Sequence, residues 1–201
     1  MFSEKNLLPL EFYANPDVVD AAQKLLGKVL CSRINGVFTS GIISETEAYC
    51  GRNDKACHAN NGKRTERTEV MFGKPGHAYI YLCYGIHHLF NVVTNREGLA
   101  DAVLIRSIIP VEGLEHINER RAVKNHTNLT NGPGKLTQAL GITTDLNTAS
   151  LLQPPVWIED RGIEFPESHI IPSRRIGVEY AGDHADRLWR FEISKGMSKK
   201  I

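Results

Sequence analysis

The sequence predicts one α+β domain, rich in antiparallel strands, spanning residues 1–201. Hairpin signals dominate over strand-helix-strand alternation, which favours antiparallel sheet with helices set apart from it. No repeat, low-complexity tract or domain-length linker divides the chain, and 201 residues with 41% hydrophobic and 23% charged content can bury a sizeable core unaided.

The elements follow in order. Asn15-Pro16 ahead of Val18, Val19, Ala22, Leu25, Leu26 and Gly27 offers an N-cap, a proline at the first helical position and apolar spacings of three and four, the clearest helix in the chain. Residues 28–34 and 37–49 flank Asn35-Gly36, the strongest short hairpin signal. A mobile polar loop is expected over 51–68. Strands are expected over 77–83 and 89–94, joined around Gly85, and over 102–109, an apolar run interrupted by Arg106. After Pro110 a helix runs to about residue 122, followed by a polar stretch over 124–131, a helix over 135–140, and late strands over 156–159 and 188–193.

Several function classes are disfavoured. No apolar run approaches the ~20 residues of a membrane span, and the N-terminal segment lacks a signal-like apolar core, so a cytoplasmic protein is expected. Cys31, Cys50, Cys57 and Cys83 have no CxxC spacing. Cys57-His58 offers two ligands that no second pair completes, so neither metal nor cofactor is expected. Net charge is +1, and any basic surface must be local: between residues 52 and 74, Arg52, Lys55, Lys63, Arg64, Arg67 and Lys74 outnumber Asp54, Glu66 and Glu69 by three. That patch also fits a solvated loop. Arg120-Arg121, Arg174-Arg175 and the tail over 195–200 read as surface clusters.

Residues 44–49, Ser-Glu-Thr-Glu-Ala-Tyr, carry the strongest chemical signal. On a strand Glu45, Glu47 and Tyr49 share one face, neighbours about 7 Å apart, while Ile42, Ser44, Thr46 and Ala48 form the other. The acids then line a cavity, or lie in water as on an ordinary strand. Tyr79, Tyr81 and Tyr84 crowd a glycine turn before Asn91, suggesting a flat, stackable ligand. Tyr84 at the turn exposes apolar surface that a base step could cover, or folds back on its own hairpin. Asn131-Gly132-Pro133-Gly134-Lys135 opens onto a helix, where backbone N–H groups and Lys135 could hold a phosphate, or forms a plain helix start. Arg106 inside an apolar strand needs a carboxylate, carbonyl or phosphate partner, and Glu47 is the obvious one. His58 has no serine or cysteine placed for a triad.

Together EFYANPDVVDAAQKLLGKVL, ETEAY, MFGKPGHAYIYLCYGIHHLFNVVT, NGPGKLTQAL, RIGVEYAG and WRFEI resemble the alkyladenine (3-methyladenine) DNA glycosylase family, across about residues 7–194. The resemblance implies a curved antiparallel sheet with surrounding helices and no helix-hairpin-helix. It implies a base-excision-repair enzyme acting on duplex DNA with alkylated or deaminated purines, nucleoid-associated in a bacterial cell; a monomer is the default expectation, and the sequence makes no required protein partner evident. Position by position, Glu47 resembles the water-activating residue and Arg106 its partner. Tyr49 resembles one wall of the base pocket, His58 and Tyr81 the other, Asn91 a gate at its floor and Tyr84 the wedge in the DNA stack. Lys63, Arg64, Arg67, Gly134 and Lys135 are the expected backbone contacts. Ile86 departs from the methionine common in relatives. A non-catalytic damage-binding module and a hydrolase of free nucleosides are the competing readings.

Overall fold

Asn35 and Gly36 both take positive φ, 53° and 79°, the type I′ geometry whose twist matches that of paired antiparallel strands. They join β1 (Val29–Ile34) to β2 (Val37–Cys50) in the computed structural model, which describes residues 4–123 and 129–194. β2, at 14 residues, is the spine of the sheet. Along one edge it pairs with β5 (Asp101–Glu112), followed outward by β4 (His87–Thr94) and β3 (Ala78–Cys83). Its other edge is taken first by β1 and then, at Glu45 to Glu47, by β9 (Arg190–Ile193), which also pairs with β8 (Ile170–Ser173). Beyond β1 lie β7 (Val156–Glu159) and the short β6 (Leu152–Gln153). Every pairing among these strands is antiparallel, and the sheet is curved.

Helices α1 (Leu10–Tyr13), α2 (Val18–Lys24), α3 (Leu114–Arg121) and α4 (Pro133–Leu140) accompany the sheet. Ala22 of α2 and Leu25 at its C-terminal end, Leu136 and Ala139 of α4, and Ile43, Ala48, Phe90, Val103 and Ile105 of the strands contribute to the main core. Each large aliphatic chain so buried contributes roughly 1.5–3 kcal/mol. A smaller cluster, including Cys57, Met71, Phe72, Tyr79 and Ala102, underlies the site described below.

Two irregularities at the centre of β2 and β5 decide which side chains face where. The pairs Ile43↔Ile108, Glu45↔Ser107 and Thr46↔Ile105 leave Ser44 unopposed on β2 and Arg106 unopposed on β5. Each extra residue reverses the alternation of faces. Ile43 and Ala48 therefore share one core despite opposite parity, as do Ile105 and Ile108. Ile42 does not face with Thr46 and Ala48, as simple alternation predicts, but packs with Val29, Cys31 and Trp157 in a separate cluster. Arg106 interrupts its apolar strand because it occupies the bulge.

Other expectations are corrected. Asp17, not Asn15, caps α2: its carboxylate accepts from Val19 N and Asp20 N at 2.8 and 3.2 Å, leaving Pro16 outside the helix. α3 begins at Leu114 because β5 continues past Pro110 to pair Glu112 with Ser40. α4 begins at Pro133, two residues before the expected start, with proline in its first turn. β6 and β8 carry no strand signal of their own, being two and four residues long and, in β8, containing Pro172. The loop over 51–68 is not simply polar: Asp54, Ala56, Cys57 and Ala59 are buried. The tail over 195–200 and most of the polar stretch, 124–128, lie outside the described residues. Among the described residues no helix is long and apolar enough to cross a membrane.

Candidate active site

Glu47 lies opposite Leu104 of β5, and the bulge swings Arg106 toward the acids of β2. Arg106 donates through Nε to Glu45 Oε1 at 3.0 Å and contacts Glu47 Oε1 through Nη1 at 3.2 Å. Arg190 of β9 donates to the same Glu45 oxygen at 2.8 Å. Glu45 thus binds two arginines, and Glu47 shares one of them. Glu47 also accepts from Ile176 N on Oε1 at 2.8 Å and from the Tyr49 hydroxyl on Oε2 at 2.6 Å.

The Glu47 side chain has no exposed surface, and burial raises its pKa against the opposing pull of Arg106, the Tyr49 hydroxyl and Ile176 N–H. An ionised carboxylate offers four lone-pair directions, and these partners occupy three. Among the described residues nothing occupies the second direction on Oε2. Tyr49, Arg106 and Ile176 all line a cavity of about 570 Å³, with the carboxylate immediately behind them.

β3 and β4 build the far wall. Tyr79 and Tyr81, alternate residues of β3, have ring centroids 5.3 Å apart, and His58 stands edge-on to Tyr81 at 4.9 Å. His58 Nδ1 lies 2.9 Å from the Tyr79 hydroxyl, and Nε2 lies 3.2 Å from Arg67 Nη2. Burial and the Arg67 charge push the His58 pKa down to about 4, so its ring is neutral at neutral pH. The Arg67 guanidinium sits over Tyr81 at 4.5 Å. Asn91, opposite Tyr79 on β4, is buried and donates to Tyr79 O at 3.0 Å.

At the cavity mouth Tyr84 and Gly85 take positive φ, 51° and 73°, and close the β3–β4 hairpin through Ile86 N to Cys83 O at 3.2 Å. Tyr84 is 91% exposed, so it does not fold back on its hairpin. α4 starts beside the bulge, with Gly132 N donating to Arg106 O at 3.0 Å. A Cβ on Gly134 would come 2.9 Å from the His87 ring, so glycine lets the helix start lie against β4. Lys135 also lines the cavity, its ammonium 3.1 Å from Asn131 Oδ1.

The structure gathers most of the expected residues around one cavity but divides the basic stretch. Arg67 turns to the aromatic wall. Arg64 pairs with Glu69 at 2.8 Å and lies over Phe72, bordering a different depression, and Lys63 is exposed nearby. They do not form one basic patch with Arg67.

Sequence reasoning missed the opposite lip. Arg175, read as surface, is 4% exposed. It forms a two-armed pair with buried Asp54, 2.8 Å between Nη2 and Oδ1, and donates to Ala48 O at 2.8 Å. Its guanidinium lies 4.9 Å from the Tyr49 ring centroid and 5.2 Å from that of Trp189. The Tyr180 hydroxyl donates to Ala56 O at 3.0 Å, tying the same two segments together. Ile176 was missed as well, and Glu45 and Tyr79 were singled out as part of the acid and aromatic stretches without a role of their own. The available signals were Arg175 between Ile171 and Ile176 and the i, i+2 spacing of Tyr79 with Tyr81. Among the described residues no group of three or more His, Cys, Asp or Glu could hold a metal ion.

A family model described as methylpurine-DNA glycosylase matches residues 11–196. A protein of Chlamydia felis named "Putative 3-methyladenine DNA glycosylase" is 47% identical over 197 residues, covering 97% of this chain and 100% of its own. Proteins of the same name from Clostridium acetobutylicum and Bacillus cereus are 45% and 46% identical, each over 91% of this chain, covering 92% and 93% of their own lengths.

Proposed function

The chain belongs to the methylpurine-DNA glycosylase family and is a DNA glycosylase, and from that premise we propose how its cavity works on a damaged purine. The observation that carries the reading is the Glu47 carboxylate, buried behind an aromatic cavity with one uncommitted lone pair. The substrate is duplex DNA carrying 3-methyladenine, 7-methylguanine, hypoxanthine or an etheno-adenine-class lesion. A base inside the duplex is out of reach, so the nucleotide is extruded at a cost of a few kcal/mol, less where damage has weakened pairing. Tyr84 enters the space it leaves, as apolar wedges do in other bent duplexes.

The extruded base lies between Tyr49 and the Tyr81–His58 wall, where stacking supplies ~1–3 kcal/mol and the electron-rich faces favour cationic alkylpurines. A small movement of the Tyr49 hydroxyl or Ile176 admits water to Glu47 Oε2. As the C1′–N bond lengthens, the carboxylate stabilises positive charge on the sugar and accepts the proton of the attacking water, whose oxygen bonds to C1′. The purine leaves with the bonding electrons. A cationic lesion departs neutral; hypoxanthine needs a proton. Arg106, held by Glu45, keeps Glu47 in place and opposes its protonation. Gly134, Lys135, Lys63, Arg64 and Arg67 supply backbone contacts.

One domain spanning 1–201 performs the reaction as a cytoplasmic, nucleoid-associated monomer, with neither cofactor nor partner protein. It is hydrolysis to an abasic site without strand cleavage, because in this reading a water activated by Glu47, and no lysine amine, attacks C1′. Borohydride trapping of a protein–DNA adduct would overturn that. The central test is single-turnover base release with Glu47→Gln. Binding is expected to persist while release falls roughly 10²–10⁴-fold. Tight binding with no release by wild type would favour a damage-binding module.

A further inference from the structure

Arg67 carries only donors, so His58 Nε2, 3.2 Å away, must be an acceptor. The His58 ring is neutral at neutral pH, and its one proton is therefore on Nδ1. Nδ1 lies 2.9 Å from the Tyr79 hydroxyl, so there the histidine donates and the tyrosine oxygen accepts. The Tyr79 proton must point elsewhere. Arg67, which also interacts with the Tyr79 hydroxyl, can only donate, so no acceptor for that proton is present among the described residues. Tyr79 is only 2% exposed and lines the cavity. A buried hydroxyl proton without an acceptor is costly, and the cavity is where an acceptor can arrive.

We propose that Tyr79 is a specificity-determining residue whose hydroxyl, oriented by His58 and Arg67, donates a hydrogen bond to an acceptor on the edge of the bound purine. The cavity then favours a base with a carbonyl at that edge, such as hypoxanthine, over one with an amino group, such as 3-methyladenine. The amino group is a donor and leaves the hydroxyl proton unmet, the kind of mismatch on which hydrogen-bonding pockets discriminate. The inference rests on the glycosylase reading above and deepens it.

The test is single-turnover release from hypoxanthine and 3-methyladenine duplexes by the full chain, its Tyr79→Phe variant and its Arg67→Met variant. Tyr79→Phe keeps the ring and is expected to lower the hypoxanthine-to-3-methyladenine rate ratio about tenfold, the effect of one lost hydrogen bond. Arg67→Met keeps the hydroxyl but frees Nε2. The His58 proton can then move to Nε2 and Tyr79 can donate to Nδ1, so the ratio falls in the same direction. A lost phosphate contact or a purely structural tyrosine would slow both lesions alike. An unchanged ratio in either variant overturns the inference, as does a wild type that releases 3-methyladenine but not hypoxanthine. Failure of wild type to release either base would instead defeat the glycosylase reading, and this inference with it.

Discussion

Glu47 and Asp54 are two carboxylates with no exposed surface, each beside an arginine, and they are held in opposite ways. Asp54 takes both arms of Arg175 and also accepts from Ala56 N at 3.2 Å and Cys50 N at 3.5 Å, so all four of its lone-pair directions are used. Glu47 has part of one arginine, whose Nε goes to Glu45, together with a hydroxyl and a backbone N–H. A saturated carboxylate fastens two segments. One held by three partners at a cavity wall retains the means to take a proton from water.

The sharpest way to break this comparison is to change each acid to its amide. Glu47→Gln is expected to abolish nearly all release yet leave the fold intact. Asp54→Asn strands a buried guanidinium and is expected to cost about 3–5 kcal/mol in urea unfolding, with release per folded molecule far less affected than in Glu47→Gln. A loss below about 1 kcal/mol would mean that the Arg175 pair is not a fastening.

Protonation sharpens the difference. Because burial raises the Glu47 pKa, its carboxylate is ionised only above that raised value, and on the proposed mechanism the single-turnover rate should fall on the acid side at a higher pH than an ordinary glutamate gives. An acid limb near the usual ~4.3 would contradict this. The linked stability runs the other way. Relative to Glu47→Gln, the wild type should be most stable below the unfolded glutamate pKa and should lose that advantage as pH rises through the raised folded value, where the buried charge must be carried. Equilibrium unfolding of both proteins across that range measures it. The smallest effect is expected at the rim: Lys135→Ala should lower the slope of log K against log salt for duplex binding by about 1, with the rate on bound DNA little changed.

Much of the sheet was legible because its signals are local. Asn35-Gly36 predicts a turn from its own backbone preferences, and Tyr84-Gly85 forms the same kind of turn at the other hairpin. The register of β2 against β5 was not legible. Nothing near Ser44 or Arg106 in sequence shows that each will be skipped by its partner strand, because a bulge is a property of the pair. Arg175 was misread for a similar reason: in sequence it follows another arginine, whereas its partner Asp54 is far along the chain. The bases of 52–74 read as one patch because adjacency in sequence was taken for adjacency in space, and the short turns of that loop turn Arg64 and Arg67 to different neighbours.

The sequence by itself determined the α+β class, the hairpins, the acid behind the cavity and the aromatics that line it, and the kinship with a glycosylase family, since these reside in short stretches of chain and in their order. The tertiary structure decided which acid is saturated and which keeps a lone pair, which arginine serves which carboxylate, and which groups meet the two ring nitrogens of His58. Those properties depend on distances between residues far apart in the chain and on how much water the fold removes from around them, and both arise only when the strands have paired and the loops have closed.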